Sequence, residues 1–347
     1  MDQELVTLQN KYLNAVYSTL GNIVPNAVRD SKTAIHALLR YHLGWENTDG
    51  TISTTGSGKA LRPLLCLMAC DMAGGNWEKA LPAAASLELV HNFSLIHDDI
   101  QDHDLTRRGR DTTWSVWGIP KAVSAGNAMR VLADQSILNL SSIGISDHTA
   151  TSASLLLTSR YMEMIEGQYL DMSFEQMEFV STSDYLDMIS RKTGALIQSS
   201  MQLGALVATE DQKTAELFGE CGRLLGLAFQ VRDDYLGVWG DPNVFGKPVG
   251  SDIKRKKKAL PAVYALQEAH GKDLDALRSI YGLSVLGDAE VQTVMDIMET
   301  VKTADYVQET ASNYAYKSLQ PLSELGLPPS DFRLVRNLAE FFAKRSR

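Results

Sequence analysis

The chain of 347 residues is 44% hydrophobic, enough to bury a large core, and carries a formal net charge of −9 with a sequence pI near 5.3. That balance excludes a protein whose affinity rests on clustered Lys and Arg neutralising nucleic-acid phosphates, and any anion-handling site must concentrate its basic residues locally. The start, Met1-Asp2-Gln3-Glu4, is acidic where a secretory signal would be basic, and no apolar run approaches the roughly 18 residues needed to span a bilayer, so a cytoplasmic location is expected.

Apolar residues recur at helical spacing, as in Leu81, Ala85, Leu89, Phe93 and Ile96, and alternating β-branched runs are few, so the chain reads as nearly all α. In chain order the predicted helices cover about 3–25, 30–43, 60–73, 80–103, 119–141, 148–179, 183–207, 211–238, 254–269, 286–297, 301–319 and 330–345. Gly74-Gly75, Gly109 and Pro242 mark stops or turns. The polar interruptions at 46–57, 104–113 and 239–252 are too short to tether separate domains, so one helical domain over 1–347 is expected. Cys66 and Cys70, one turn apart in an apolar run, and Cys221 read as buried reduced thiols, since no further ligand with metal-site spacing is near.

Two aspartate-rich stretches interrupt otherwise apolar helices. In Asp98-Asp99-Ile100-Gln101-Asp102 the first and last carboxylates lie one turn apart on one face, with Asp99 about 100° round. Like charges at that spacing repel, and they become favourable when divalent cations sit between them and share a substrate diphosphate. A solvated acidic helix end is the plainer alternative. Arg107-Arg108-Gly109-Arg110 follows in a loop that could fold back and offer forked donors to phosphate oxygens.

The second stretch is Asp233-Asp234-Tyr235-Leu236-Gly237, preceded by Gln230. Position 237 is glycine, so a carboxylate one turn on is missing. Asp241 would return to the face of Asp234 only if the helix ran past Gly240 and Pro242. Gly246-Lys247-Pro248 and Lys254-Arg255-Lys256-Lys257-Lys258 supply cations downstream, most of the latter run reading as a solvated face. Both motifs fall near helix ends, which suggests that those ends face each other.

Taken together, Gly58-Lys59-Ala60-Leu61-Arg62-Pro63, His91 ahead of Asp98, the Arg107-Arg108-Gly109 loop, Lys192-Thr193 and Phe229-Gln230-Val231-Arg232-Asp233-Asp234 resemble, in order, the trans-isoprenyl diphosphate synthases of the polyprenyl synthetase family. The resemblance implies an all-α isoprenoid synthase-type bundle around a central cavity, usually a homodimer, with three Mg²⁺ ions bound between the aspartate motifs. It implies Asp98, Asp102 and Asp233 as principal metal ligands, supported by Asp99 and Asp234. Arg107, Lys192, Lys247 and Lys257 would bind the allylic diphosphate, and Thr193 and Gln230 are further substrate-binding positions. Lys59, Arg62, His91 and Arg108 would bind isopentenyl diphosphate. Ala60 and Gly237 depart from the family pattern. Phe93 and Ser94, five and four positions before Asp98, resemble the chain-length positions of enzymes making geranylgeranyl diphosphate, with farnesyl diphosphate the alternative product. A terpene cyclase of similar architecture and a non-catalytic subunit of a heteromeric synthase remain open, and the four residues of the second diphosphate pocket argue against the cyclase.

Overall fold

The computed structural model describes residues 3–24, 34–53, 58, 60–242 and 249–345. Within these the protein is helical, except for a two-stranded ribbon and an isolated bridge between Glu46 and Ile52. The chain groups into two compact units: Asp2–Ser159 with Ser199–Gly219, and Arg160–Gln198 with Glu220–Arg347 and Met1.

The first unit contains α1 (Gln3–Ile23), α2 (Ile35–His42), α3 (Leu61–Met72), α4 (Leu81–Gln101), the ribbon β1 (Thr106–Arg107) and β2 (Arg110–Asp111), α5 (Thr113–Trp117) and α6 (Ile119–Leu138). It also holds the start of α7 (Asp147–Gln176) and most of α9 (Ala195–Thr209), and α10 (Gln212–Trp239) begins in it. Pro82 and Pro120 begin α4 and α6, where a missing N–H costs nothing. Both helices are buried through alanines, Ala83, Ala84 and Ala85 on one and Ala122, Ala125 and Ala133 on the other, whose small side chains let the backbones approach. The approach is fixed by Ser86 Oγ donating to Ala133 O at 2.6 Å and Ser136 Oγ to Pro82 O at 2.8 Å. This pair positions the first acidic motif. Cys66, Cys70 and Cys221 are buried and free, as the sequence indicates.

The second unit contains the rest of α7, α8 (Thr182–Ile189), a π-helical turn over Ser190–Gly194 and most of α10. It continues through α11 (Ser251–Lys254), α12 (Leu260–Glu268), α13 (Gly271–Gly282), α14 (Asp288–Thr300), α15 (Thr303–Lys317), α16 (Gln320–Ser323) and α17 (Pro329–Lys344). Tyr185, Met188, Ile189, Leu227, Val231, Leu260 and Val263 build one core, while Val238, Ile253, Ala262, Leu277 and Val294 belong to another. A Cβ on Gly167 would stand 2.3 Å from Lys192 N, so only glycine lets α7 lie against the π turn.

Several predicted boundaries change for physical reasons. The helix expected over 183–207 is interrupted at Ser190–Gly194, a local widening that apolar periodicity cannot report. The helix expected from 254 starts at Leu260 because Pro261 occupies its first turn, and the preceding basic run forms only α11 and a loop. The α13 helix was not anticipated. The ribbon arises because Arg108 and Gly109, at φ of 53° and 74°, make the doubly left-handed two-residue turn that joins twisted strands.

Candidate active site

In the first unit the last turn of α4 carries Asp98 and Asp99, with Asp102 as its C-cap, its N–H donating to Asp98 O at 2.8 Å. The one-turn spacing of Asp98 and Asp102 therefore holds although the helix ends earlier than predicted. Asp98 is half-buried and Asp102 exposed, whereas Asp99 is buried and accepts from Arg107 Nε at 2.5 Å. Burial raises the Asp99 carboxyl, and Arg107 pulls it back. The basic loop thus folds back onto the acidic motif. Thr112 Oγ1 and Trp114 Nε1 pin it by donating to Asp104 O, each at 2.9 Å.

Arg62, at the start of α3, and His91, on α4, converge with Arg108. Burial lowers Arg62 to about 10, with Glu88 opposing and Arg108 adding to the fall, so it stays cationic at neutral pH. Burial, then Arg62 and Arg108, hold His91 well below the ordinary histidine range, so its ring is neutral. Arg62 Nε and Glu88 Oε2 are buried without hydrogen-bond partners among the described residues. Lys59 lies outside the described residues. Phe93 is buried with its ring 4.9 Å from that of His97, edge to face, and Ser94 Oγ donates to His91 O at 2.8 Å.

In the second unit Asp234 is 1% exposed and both of its oxygens accept hydrogen bonds. Tyr185 OH donates at 2.6 Å, Gln230 Nε2 at 3.0 Å and Leu260 N–H at 3.4 Å. Burial raises its carboxyl to about 6 against the pull of Lys257, Tyr185 and Gln230. Thr193 Oγ1 donates to Gln230 Oε1 at 2.8 Å, so residues 193, 230 and 234 form one chain of hydrogen bonds. Asp233, half-buried on the same helix, is paired with Arg345, and Lys192 with Asp171. Lys257 lies deep among protein atoms yet open to solvent. Desolvation lowers it, and the carboxylates of Asp234, Asp252, Asp171 and Asp233 more than offset that, holding it above the ordinary lysine range. Its neighbours take structural roles: Lys254 pairs with Asp288, Lys256 Nζ donates to Leu283 O at 2.6 Å and Lys258 Nζ to Phe174 O at 2.8 Å. Lys247 lies outside the described residues.

Sequence reasoning missed Asp171, Tyr185, Asp252 and Arg345. Asp171 sits one turn after Gly167, a glycine inside a long helix that could have flagged a close approach. Nothing local marks Arg345, whose partner is 112 residues away.

The polyprenyl synthetase family model matches residues 50–300. The chain belongs to the polyprenyl synthetase family. It is therefore a prenyltransferase with the all-α isoprenoid synthase fold. Family relatives include a (2E,6E)-farnesyl diphosphate synthase of Mycobacterium tuberculosis, 34% identical over 89% of this chain and 85% of that one. A geranylgeranyl diphosphate synthase of the same organism is 36% identical over 84% of this chain and 86% of that one. The crystal structure of a geranylgeranyl pyrophosphate synthetase from Pyrococcus horikoshii superposes with a TM-score of 0.87 at 29% identity, covering 99% of this chain and 100% of that one.

Proposed function

We propose that this enzyme condenses isopentenyl diphosphate with an allylic prenyl diphosphate, using Mg²⁺, and that its main product is geranylgeranyl diphosphate. The observation that carries the reading is the convergence of Arg62 and Arg108 on neutral His91. Two cations repelling each other in a partly buried place gain most from a bound anion, and a diphosphate matches their forked donors. Such a pocket suits a second diphosphate held by side chains alone. A cyclase working on one prenyl diphosphate has no use for it.

The carboxylates fit Mg²⁺ chemically. Asp98 and Asp102 in one unit, and Asp233 with Asp171, Asp234 and Asp252 nearby in the other, offer only oxygen donors. Among the described residues no three His, Cys, Asp or Glu side chains are gathered tightly enough to hold a metal alone. Mg²⁺ keeps waters and takes one or two carboxylates together with substrate phosphates. When bound, Mg²⁺ would neutralise charge developing on the departing diphosphate.

The residues' own parts follow from their charges. Arg62, Arg108, His91 and Lys59 hold the acceptor diphosphate, while Lys192, Lys257, Lys247 and Arg107 attract the allylic one, with Thr193 and Gln230 ordering the Asp234 side. As the allylic carbon–oxygen bond ionises, these cations meet the charge gathering on the leaving group. The double bond of isopentenyl diphosphate attacks the allylic carbon, and the proton then lost passes to the released diphosphate, so no dedicated base is required. Phe93 and its apolar neighbours on α4 keep water from the cation.

We read the assembly as a homodimer in the cytoplasm. Ile119, Val123, Val131 and Leu138 form an exposed apolar stripe on α6, and Leu155, Met162, Ile165 and Tyr169 recur at helical spacing along α7, the kind of surface a second copy would cover. No described helix is long and apolar enough to cross a membrane.

The decisive experiment incubates the purified protein with Mg²⁺, labelled isopentenyl diphosphate and each allylic primer, and separates the products by chain length. Incorporation of label into a C20 diphosphate is expected. Consumption of the allylic substrate alone would indicate a cyclase, and no turnover a non-catalytic subunit.

A further inference from the structure

In the first unit the end of α2 meets the ribbon of β1 and β2, and between them lies a cavity of about 40 Å³ lined by Tyr41, His42, Gly44, Arg107, Arg108 and Arg110. That is room for a few water-sized groups, such as the oxygens of one phosphate. Three guanidinium groups around so small a space repel one another, and among the described residues only Arg107 has a carboxylate partner, Asp99. Capping of the helix does not account for them. The N–H groups of Leu43, Gly44 and Trp45 already donate to the carbonyls of Leu39, Tyr41 and Arg40, at 3.0, 3.0 and 2.9 Å.

Arg108 joins the cavity to the acceptor pocket, since it lines the one and converges on Arg62 and His91 in the other. Its guanidinium lies against Gly58, where a Cβ would stand 2.6 Å from Nη1, and Tyr17 OH holds that glycine by donating to its carbonyl at 2.9 Å. Arg110 is committed elsewhere. It lies 4.3 Å over the Tyr41 ring and donates to Glu46 O at 2.7 Å and Ser53 Oγ at 3.3 Å, while Tyr41 OH donates to Asp111 O at 2.8 Å. These contacts fix α2 against the ribbon and His42 with it.

Thr113 Oγ1 stands 3.4 Å from His42 Nδ1. Burial, then Arg107, Arg108 and Arg110, keep the His42 ring neutral, and His42 in turn acts on His91. With the Thr113 hydroxyl donating to Nδ1, a neutral ring carries its proton on Nε2.

We infer that His42 is a further acceptor-binding residue, its Nε2–H donating to a terminal oxygen of isopentenyl diphosphate that enters the cavity beside Arg108. The inference rests on the reading of Arg62, Arg108 and His91 as the acceptor pocket. A neutral donor suits a place already crowded with positive charge, because it adds a hydrogen bond to the anion without a further repelling cation.

The test measures KM for isopentenyl diphosphate and for the allylic primer with the full chain. His42→Leu removes the donor and is expected to raise the first by ~10-fold or more, the worth of one hydrogen bond to a charged group, and to leave the second near wild type. His42→Gln carries an amide N–H near the place of Nε2 and is expected to return the first KM to within about threefold of wild type, a rescue that a structural role would not confine to one substrate. An unchanged KM in His42→Leu, equal rises for both substrates, or no recovery in His42→Gln overturns the inference. Where His42→Leu does not fold, the imidazole nitrogen resonances of the wild type decide. The His42 signal, identified by its loss in His42→Gln, is expected to shift when isopentenyl diphosphate is added without primer, and a signal that stays in place overturns the inference. Arg62→Lys separates the two failures: a wild-type KM for isopentenyl diphosphate there overturns the acceptor pocket itself, whereas a rise there with none in His42→Leu overturns the role of His42 alone.

Discussion

The guanidinium of Arg345 lies against the carboxylate of Asp233, the residue the motif marks as a metal ligand. The Arg345 side chain is only 7% exposed, packs 4.0 Å over the Phe229 ring and donates through Nη2 to Phe229 O at 3.3 Å, while Arg232 Nε donates to Arg345 O at 2.8 Å. A cation fixed in this way competes with a divalent ion for the same oxygen. Arg345→Ala should therefore lower the Mn²⁺ concentration for half-saturation by several-fold, with Arg345→Lys falling between. A titration of Mn²⁺ and pyrophosphate into both variants checks this, and unchanged midpoints would show that the pair does not compete.

The basic group of the first unit makes a prediction specific to one substrate. Arg62 carries a buried Nε without a partner, and Glu88 an equally buried Oε2. Charge-assisted hydrogen bonds to a bound diphosphate are worth about 1.5–3 kcal/mol. Arg62→Lys loses the planar fork that Lys cannot reproduce. It should raise KM for isopentenyl diphosphate by ~10-fold or more and leave KM for the allylic primer near wild type. Equal rises for both substrates would argue against a separate acceptor pocket.

His42 sets a pH dependence of stability away from the metal ligands. Burial, followed by repulsion from Arg107, Arg108 and Arg110, lowers its folded value from 6.5 to about 3. Thr113 Oγ1 lies 3.4 Å from its Nδ1. The unfolded chain binds the proton first as pH falls, so stability is fully present above about 6.5 and is lost progressively toward about 3. Carboxylates join below about 5, so the diagnostic window is pH 7 to 5.5. The melting temperature should drop across it in the wild type and drop less in His42→Gln. Parallel slopes would remove His42 as a contributor.

The two acidic motifs, the Arg107-Arg108 loop and Lys192-Thr193 were legible because their chemistry is local: a helical repeat of four, or adjacent residues. Asp102 kept its place one turn from Asp98 even though α4 stops at Gln101, since a C-cap in helical geometry preserves the spacing. What the chain order hides are partners supplied from elsewhere. Asp234 reads as a metal-supporting carboxylate, and its oxygens also accept from Tyr185 of α8, from Gln230 and from the Leu260 amide. Gly237 reads as a lost carboxylate, because nothing local in the chain shows that a Cβ there would fall 2.2 Å from Asp252 Oδ2. The interruption at Ser190–Gly194 is equally silent, as a π turn has no compositional mark in an apolar run.

Phe93 offers the test of chain-length control. It is buried on α4 five positions before Asp98, and its ring meets His97 edge to face at 4.9 Å. Truncating a buried Phe typically costs about 3–5 kcal/mol because the cavity relaxes only in part, so Phe93→Ala should melt earlier than the wild type. The same cavity would give the growing tail room past the position where the ring now stands. The product should lengthen beyond C20, whereas Phe93→Tyr, which keeps the ring, should leave it unchanged. Radio-chromatography of products made from labelled isopentenyl diphosphate reads the outcome directly. A wild-type length distribution in a folded Phe93→Ala would place the stop elsewhere in the helix pair, since the loss of the ring would then have opened space that the chain does not enter.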